Sequence, residues 1–283
     1  MKTIGKFDKK INNLEFDDFG RPSGILLIDK PINISSHGVV DQVRRLLHIR
    51  QVGHGGALDI FASGLEIILV GKATKLSEEM LLLDKAYQAT MVFGVATETQ
   101  DIEGKIVNVI SSGIKLTKEQ VEKTLKTFEG TSEQFVSPFS SIKVNGRKLR
   151  KILRDPNYTY VIDNTKDGKR LLSMTCLNKP ENNYVLEIPK RKIILENIKL
   201  IDFGYKQVNQ LNIKDLKIDF PLPYCEFSLK CSKGTYIRQL AEDIGQRHNL
   251  PATLIQLDRI AIGSWDKTQA ITLEELETKL NSK

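Results

Sequence analysis

The chain has 283 residues, 40% of them hydrophobic and 27% charged, as in a globular protein large enough to bury its own core. Forty-two Lys and Arg against 35 Asp and Glu leave a net charge of +7, which fits plain solubility or a polyanionic partner. Three widely spaced cysteines, no bilayer-length apolar run and an acid-bearing N-terminus argue against a disulfide framework, a zinc site, a membrane span or a targeting signal, and for a reducing cytoplasm.

Residues 1–22 are expected as a polar extension. GILLIDKP (24–31) reads as a buried strand stopped by Pro31. SSHGVVDQVRRLLHI (35–49) places Val39, Val43, Leu46 and Leu47 at helical spacing, with an N-cap at Ser35 or Ser36. A glycine-rich loop, GHGGALDIFASG (53–64), leads into LEIILVG, a β-like run interrupted by Glu66. KAYQATMVFGVATET (85–99) predicts a strand, followed by a turn at Glu103-Gly104. LTKEQVEKTLKTFEG (116–130) predicts a helix with a capping box from Thr117 to Gln120 and a stop at Gly130. Residues 131–186 are the least legible and hold a basic patch, NGRKLRKILRD. Strand patterns return at 184–203 and 224–234, and helical ones at TYIRQLAEDIGQRHN (235–249) and TLEELETKLNSK (272–283). Elements interspersed without βαβ alternation predict an α+β fold.

The loop at 53–64 sets four glycines around a single carboxylate, Asp59. Glycines let a backbone approach a bulky ligand and hold a side chain at a strained turn, whereas an Asx turn needs fewer of them. No second carboxylate or histidine stands at ligand spacing, so no metal is expected.

GHGGALDIFASG resembles the catalytic loop of the TruB family of tRNA pseudouridine synthases, Gly-His-x-Gly-x-Leu-Asp-Pro-x-Ala-x-Gly. It is joined in that family's order by GILLIDKP with SSHGVVDQVRR, GKATKL (71–76), DKAYQA (84–89), CSKGTYIRQLAEDIG (231–245) and LDRIAIGSW (257–265). The resemblance implies a mixed, largely antiparallel sheet flanked by helices and loops. It also implies isomerisation of the T-arm loop uridine (position 55) without cofactor or metal. Asp59 falls on the catalytic aspartate and Arg238 on the arginine that pairs with it; a helix pair with Glu242 is the alternative for Arg238. Tyr87 falls on the tyrosine that stacks on the base. Tyr236 and Leu257 fall on the uracil pocket, His54 on a residue holding the flipped-out nucleotide, and Lys30 on a segment near the site or the RNA. Arg44, Arg45, Arg147, Lys148, Arg150 and Lys151 are candidate contacts to the RNA backbone.

The implied partner is tRNA through its T-arm stem-loop, bound by a monomer with no obligate protein partner. The expected organisation is a catalytic domain over 23–266 with an RNA-gripping insertion near 131–186, then a short helix (267–283) without the RNA-binding PUA domain of most relatives. A guide-RNA-dependent synthase and a non-catalytic RNA-binding or tRNA-folding protein are the alternatives. Departures from the family pattern are Ile60 for proline, Ser137 for proline, Trp265 for phenylalanine, and a longer stretch from Asp155 to Glu187.

Overall fold

The computed structural model describes residues 13–16, 20–179, 181 and 183–282. In chain order they form Leu14–Phe16 (β1), Pro22–Lys30 (β2), Ser36–Leu47 (α1), Val52–His54 (β3), Ser63–Val70 (β4), Ser77–Leu82 (α2), Lys85–Phe93 (β5), Val95–Thr97 (β6), Ile106–Val109 (β7) and Lys118–Lys126 (α3). Next come Gly130–Phe135 (β8), Lys143–Val144 (β9), Arg147–Lys148 (β10), Leu149–Leu153 (α4), Tyr158–Asn164 (β11), Arg170–Cys176 (β12) and Tyr184–Glu187 (β13). Lys190–Lys206 (β14), Leu222–Cys231 (β15), Ile237–Gln246 (α5), Ala252–Ile262 (β16), Trp265–Asp266 (β17) and Leu273–Asn281 (α6) complete the chain.

Ten strands share one sheet in the order β1-β2-β4-β16-β5-β15-β14-β8, with β3 on β4 and β17 on β16. Its pairings are antiparallel except for a short parallel contact of β4 with β16. This is the α+β architecture expected from the sequence. One side of the central strands packs Met91, Phe93, Phe227 and Leu254 against Val121 of α3 and Leu240 and Ile244 of α5. Elsewhere Leu26, Ile28 and Ile68 meet Val39 and Val43 of α1 and Leu276 of α6. Each such fully buried side chain contributes roughly 1.5–3 kcal/mol.

Local signals explain the helices that frame the site. Ser35 caps α1 by accepting from Gly38 N, and its C-terminal residue His48 turns left-handed at φ +51°. The capping box expected at Thr117–Gln120 is formed, and a second, Thr272–Glu275, opens α6. The expected stop at Gly130 is displaced: α3 ends at Lys126, and Gly130, at φ +97°, opens β8. The strand expected over 85–99 breaks at Gly94 (φ +104°) into β5 and β6. Part of the expected N-terminal extension is an edge strand, since Leu14 is fully buried where β1 pairs with β2; residues 1–12 and 17–19 lie outside the described residues.

The stretch over 131–186 begins within β8 and then builds its own antiparallel sheet, β11–β12–β13. Leu149, Ile152 and Leu153 of α4 pack with Leu172, Met174 and Leu186 of that sheet, giving the insertion a core of its own. Among the described residues no helix is long and apolar enough to cross a membrane.

Candidate active site

Asp59 stands in the loop between β3 and β4, and two tethers fix the backbone on either side of it. Before it, Leu58 N donates to Ser36 Oγ at 2.8 Å, and Ser36 Oγ is 3.3 Å from Leu58 O. After it, the Ile60 carbonyl accepts from Asn33 N at 2.9 Å and lies 3.5 Å from Lys30 Nζ. A proline at position 60 would offer the same carbonyl, so the isoleucine removes no bond from this clamp. The loop's glycines answer to close packing: a Cβ on Gly55 would lie 2.7 Å from Met80 Cβ. One on Gly64, at φ +107°, would lie 2.4 Å from the Arg259 carbonyl.

Arg238 reaches this loop from the first turn of α5. Its Nε donates to Asp59 Oδ2 at 2.8 Å and its Nη2 to Asp59 Oδ1 at 3.1 Å, a two-pronged charge-assisted pair. Nη1 donates to the Thr99 carbonyl at 2.9 Å. The Arg238 side chain is 7% exposed and that of Asp59 41%, so the carboxylate faces solvent while its partner is enclosed. Glu242, the alternative partner, is bonded to Arg170 at 2.6 Å.

Behind Arg238 lies a second carboxylate that sequence reasoning missed. Asp101 Oδ2 is 3.5 Å from Arg238 Nε, and Oδ1 accepts from Thr99 Oγ1 at 2.5 Å and from Glu103 N at 3.0 Å. Burial raises its pKa, and the Arg238 guanidinium opposes that rise. Its signal in the sequence, a threonine two residues before an aspartate at the turn, is too common to single out.

Tyr87 on β5 pairs in register with Arg259 on β16, and both Tyr87 and Leu257 pack into the main core beside the site. Burial pushes the Tyr87 hydroxyl up to about 12 despite the nearby Arg259 guanidinium, so at neutral pH it is a neutral phenol. Burial also raises Tyr236, which acts as N-cap residue of α5; its backbone N and O are both held by the Gln134 amide, at 2.9 and 3.1 Å. His54 is pushed below its ordinary value by burial, then by Arg259 and His37. Its Nδ1 accepts from Gly56 N at 3.3 Å, which leaves the neutral ring's proton on Nε2.

Two predicted contacts with substrate or RNA, Lys30 and Arg44, spend their donors within the protein. Lys30 is fully buried, and its ammonium donates to the Pro31 and Ile34 carbonyls, both at 2.8 Å. It braces the Asp59 loop instead of facing a ligand. Arg44 donates to Asp41, to the Arg50 carbonyl and to the Val52 carbonyl at 2.9, 3.2 and 2.9 Å, closing the turn from α1 into β3. Arg45 is exposed beside a groove that also holds Glu274 and Glu277. Arg147 pairs with Asp155 at 3.4 Å, while Lys148, Arg150 and Lys151 cluster on and beside α4, with Arg150 and Lys151 exposed.

The structure adds three cations to those predicted. Arg259, 1% exposed, donates to Leu65 O at 2.8 Å and to Gly56 O at 3.0 Å, fixing the loop's first arm. Arg154, the residue that ends α4, is exposed, and its charge weakly opposes the rise that burial, Asp101 and Asp59 impose on the Glu103 carboxyl. Arg191 is exposed over Gly234, whose missing side chain leaves room 3.3 Å from Nη1, and its charge reaches Tyr236 together with that of Arg238. The first of these was marked in the sequence by an arginine inside an apolar strand, the other two by nothing beyond their charge. A cleft of about 710 Å³, lined by Glu98, Tyr160, Arg170, Glu242 and Pro251 among others, does not include Asp59.

Residues 44–161 match the model of the family described as TruB family pseudouridylate synthase (N terminal domain). The chain is 38% identical over 252 residues to a protein of Caldicellulosiruptor saccharolyticus named tRNA pseudouridine synthase B, covering 89% of this chain and 71% of the relative. It is 32% identical over 260 residues to the protein of that name from Bacillus subtilis, covering 92% and 72%. Among solved structures it resembles a chain of the archaeal box H/ACA sRNP Nop10-Cbf5 complex, with a TM-score of 0.54 and 19% identity. The likeness covers 96% of this chain but only 60% of that one. A Cbf5-Nop10-Gar1 complex gives a TM-score of 0.55 at 20% identity, covering 96% and 61%.

Proposed function

The chain belongs to the TruB family of pseudouridylate synthases, and we propose that it isomerises a uridine of tRNA, the one in the T-arm loop at position 55, to pseudouridine. The N1–C1′ bond breaks, the uracil turns, and C1′ joins C5; the C5 hydrogen is lost to solvent and N1 gains a proton. No net oxidation occurs, so the reaction calls for no redox partner. The observation that carries this reading is the solvent-facing Asp59 carboxylate, held two-pronged by Arg238 beside the neutral side chains of Tyr87 and Tyr236.

Asp59 supplies the charge that attacks the nucleotide or takes its proton, and Arg238 orients it. Tyr87 offers a ring for the extruded base, with Leu257 and Tyr236 as the apolar wall. The cost of unstacking is met by phosphate contacts from the rim, where Arg191, Arg150 and Lys151 are exposed. We propose further that one chain acts in the cytoplasm without guide RNA or protein partner. Relatives named tRNA pseudouridine synthase B at 32–38% identity favour this over the guide-dependent alternative, since the box H/ACA neighbours share the fold only. An Asp59 poised by Arg238 argues against a purely binding role.

The test is to incubate a transcribed tRNA, and separately its T-arm stem-loop, with the purified protein and map pseudouridine. Modification of that one uridine by the parent and none by Asp59→Asn is expected, with tRNA affinity changed only a few fold. Near-normal turnover by Asp59→Asn would remove the assignment.

A further inference from the structure

Gln100 occupies the centre of a buried polar cluster behind Arg238. It is 5% exposed and lies between Thr99, whose carbonyl binds Arg238 Nη1, and Asp101, whose carboxylate is 3.5 Å from Arg238 Nε. Its backbone is left-handed, φ +66°, a conformation natural to glycine and strained for glutamine. Three side-chain bonds hold it there. Nε2 donates to Gln239 Oε1 at 2.7 Å and to Glu242 Oε2, and Oε1 accepts from Ser137 Oγ at 2.8 Å.

The partners of Gln100 come from two different bodies. Gln239 and Glu242 belong to α5, the helix that carries Arg238. Ser137 follows β8 and is fully buried. Arg170, the first residue of β12 and 3% exposed, donates to the same Gln239 Oε1 at 2.9 Å and to Glu242 Oε1 at 2.6 Å. Ser137 and Arg170 are therefore two points at which the insertion touches the cluster, and the same insertion presents the basic helix α4.

We propose that Gln100 is a positioning residue for Arg238, through which the insertion sets the geometry of the Asp59–Arg238 pair. This rests on Asp59 being the reacting carboxylate. A satisfied buried network of this kind is rigid, so a shift of Ser137 or Arg170 is passed to the turn 99–101. That turn supplies two of the groups that fix the Arg238 guanidinium. RNA seated on α4 thereby tightens the catalytic pair, and an insertion out of place loosens it.

The decisive variant is Gln100→Gly. Glycine adopts φ +66° without strain, so the fold is kept while all three bonds are removed. The single-turnover rate of pseudouridine formation at saturating tRNA is expected to fall about tenfold or more, since small displacements of reacting groups lower rates by up to two orders of magnitude. The dissociation constant for tRNA should stay within about twofold of the parent, the pattern of an interaction that orients without binding. Gln100→Asn, which tolerates the same backbone but is one methylene short, and Arg170→Met should move the rate in the same direction. Independently of activity, hydrogen exchange of the Arg238 Nε–H, read by NMR, should accelerate in Gln100→Gly. An unchanged exchange rate overturns the proposal whatever the activity, and so does an unchanged turnover in an active preparation. If the parent makes no pseudouridine at all, the proposed function fails, while the exchange measurement still decides the role of Gln100.

Discussion

Arg238 binds Asp59, 179 residues away in the chain, through two nitrogens at 2.8 and 3.1 Å, and not Glu242 one turn further along its own helix. Glu242 is engaged by Arg170 from the insertion, which leaves the planar fork of Arg238 free to aim the reacting carboxylate.

Arg238→Lys is therefore not a conservative change. A point charge cannot hold both Asp59 oxygens and the Thr99 carbonyl together, so turnover should fall by about two orders of magnitude while the far-ultraviolet spectrum is unchanged. A rate close to the parent's across neutral pH would show that the two-pronged geometry is dispensable.

Lys30→Met tests the brace under the loop. The substitution keeps most of the volume but strips the Pro31 and Ile34 carbonyls of the Lys30 donor, leaves the Ile60 carbonyl with Asn33 N alone, and removes one of the two cations, Lys30 and Arg259, that act on the buried Glu66. A loss on the order of 3 kcal/mol is expected in urea unfolding. Salt dependence of tRNA binding should not change; a flatter slope would mean that Lys30 faces the RNA after all.

The basic helix gives a prediction of the opposite kind. Neutralising Arg147, Lys148, Arg150 and Lys151 together should weaken tRNA binding and flatten its salt dependence, by about 0.7–0.9 in the log–log slope for each phosphate no longer neutralised. Turnover at saturating RNA should change less, because saturating RNA still seats on α4 and the buried bonds of Ser137 and Arg170 are untouched. Arg44→Gln serves as the contrast: its guanidinium is bonded within the protein, so it should lower stability and leave the salt slope intact.

Asp243 sets a pH dependence. Burial pushes its carboxyl from the ordinary 3.8 up to about 6, although Gln239 Nε2 donates to it at 2.8 Å. The folded state then holds this proton more tightly than the unfolded state, so the group lowers stability as pH rises from about 4 to about 6, and by a constant amount above that. Asp243→Asn keeps the oxygen that Gln239 uses and removes the charge. It should exceed the parent in stability at pH 7 by on the order of 2 kcal/mol, with the difference gone near pH 4. Equal pH profiles for the two proteins would show that Asp243 is not desolvated.

Much of the site was legible because its marks are local. Asp59, Arg238, Tyr87, Tyr236 and Leu257 lie in short blocks whose order along the chain carries the family resemblance, and the fold brings these blocks to one face of the central sheet. Asp101, Gln100 and Arg191 carried no such mark, and Arg259, though it lies in the 257–265 block, was not singled out. Their importance lies in contacts with α5, the 231–235 turn and the Asp59 loop, across stretches of sequence that no periodicity connects. Residues 131–186 hid a three-stranded sheet because strands that cover only a small core alternate weakly, as the exposed Val161 and Val185 show.

By itself the sequence determined what short-range chemistry determines. Side-chain caps placed the starts of α1, α3 and α6, glycine spacing marked the loop around Asp59, and ordered blocks identified the family. The tertiary structure alone decided what each charge does. Lys30, expected near the site or the RNA, is buried under the Asp59 loop, Arg44 spends its donors on Asp41 and two carbonyls, and Arg238, for which a helix pair with Glu242 was the alternative, holds Asp59. The reason is physical: a cap is satisfied within a few residues, but a charge is placed by desolvation and by whichever partner the rest of the fold brings within about 3 Å.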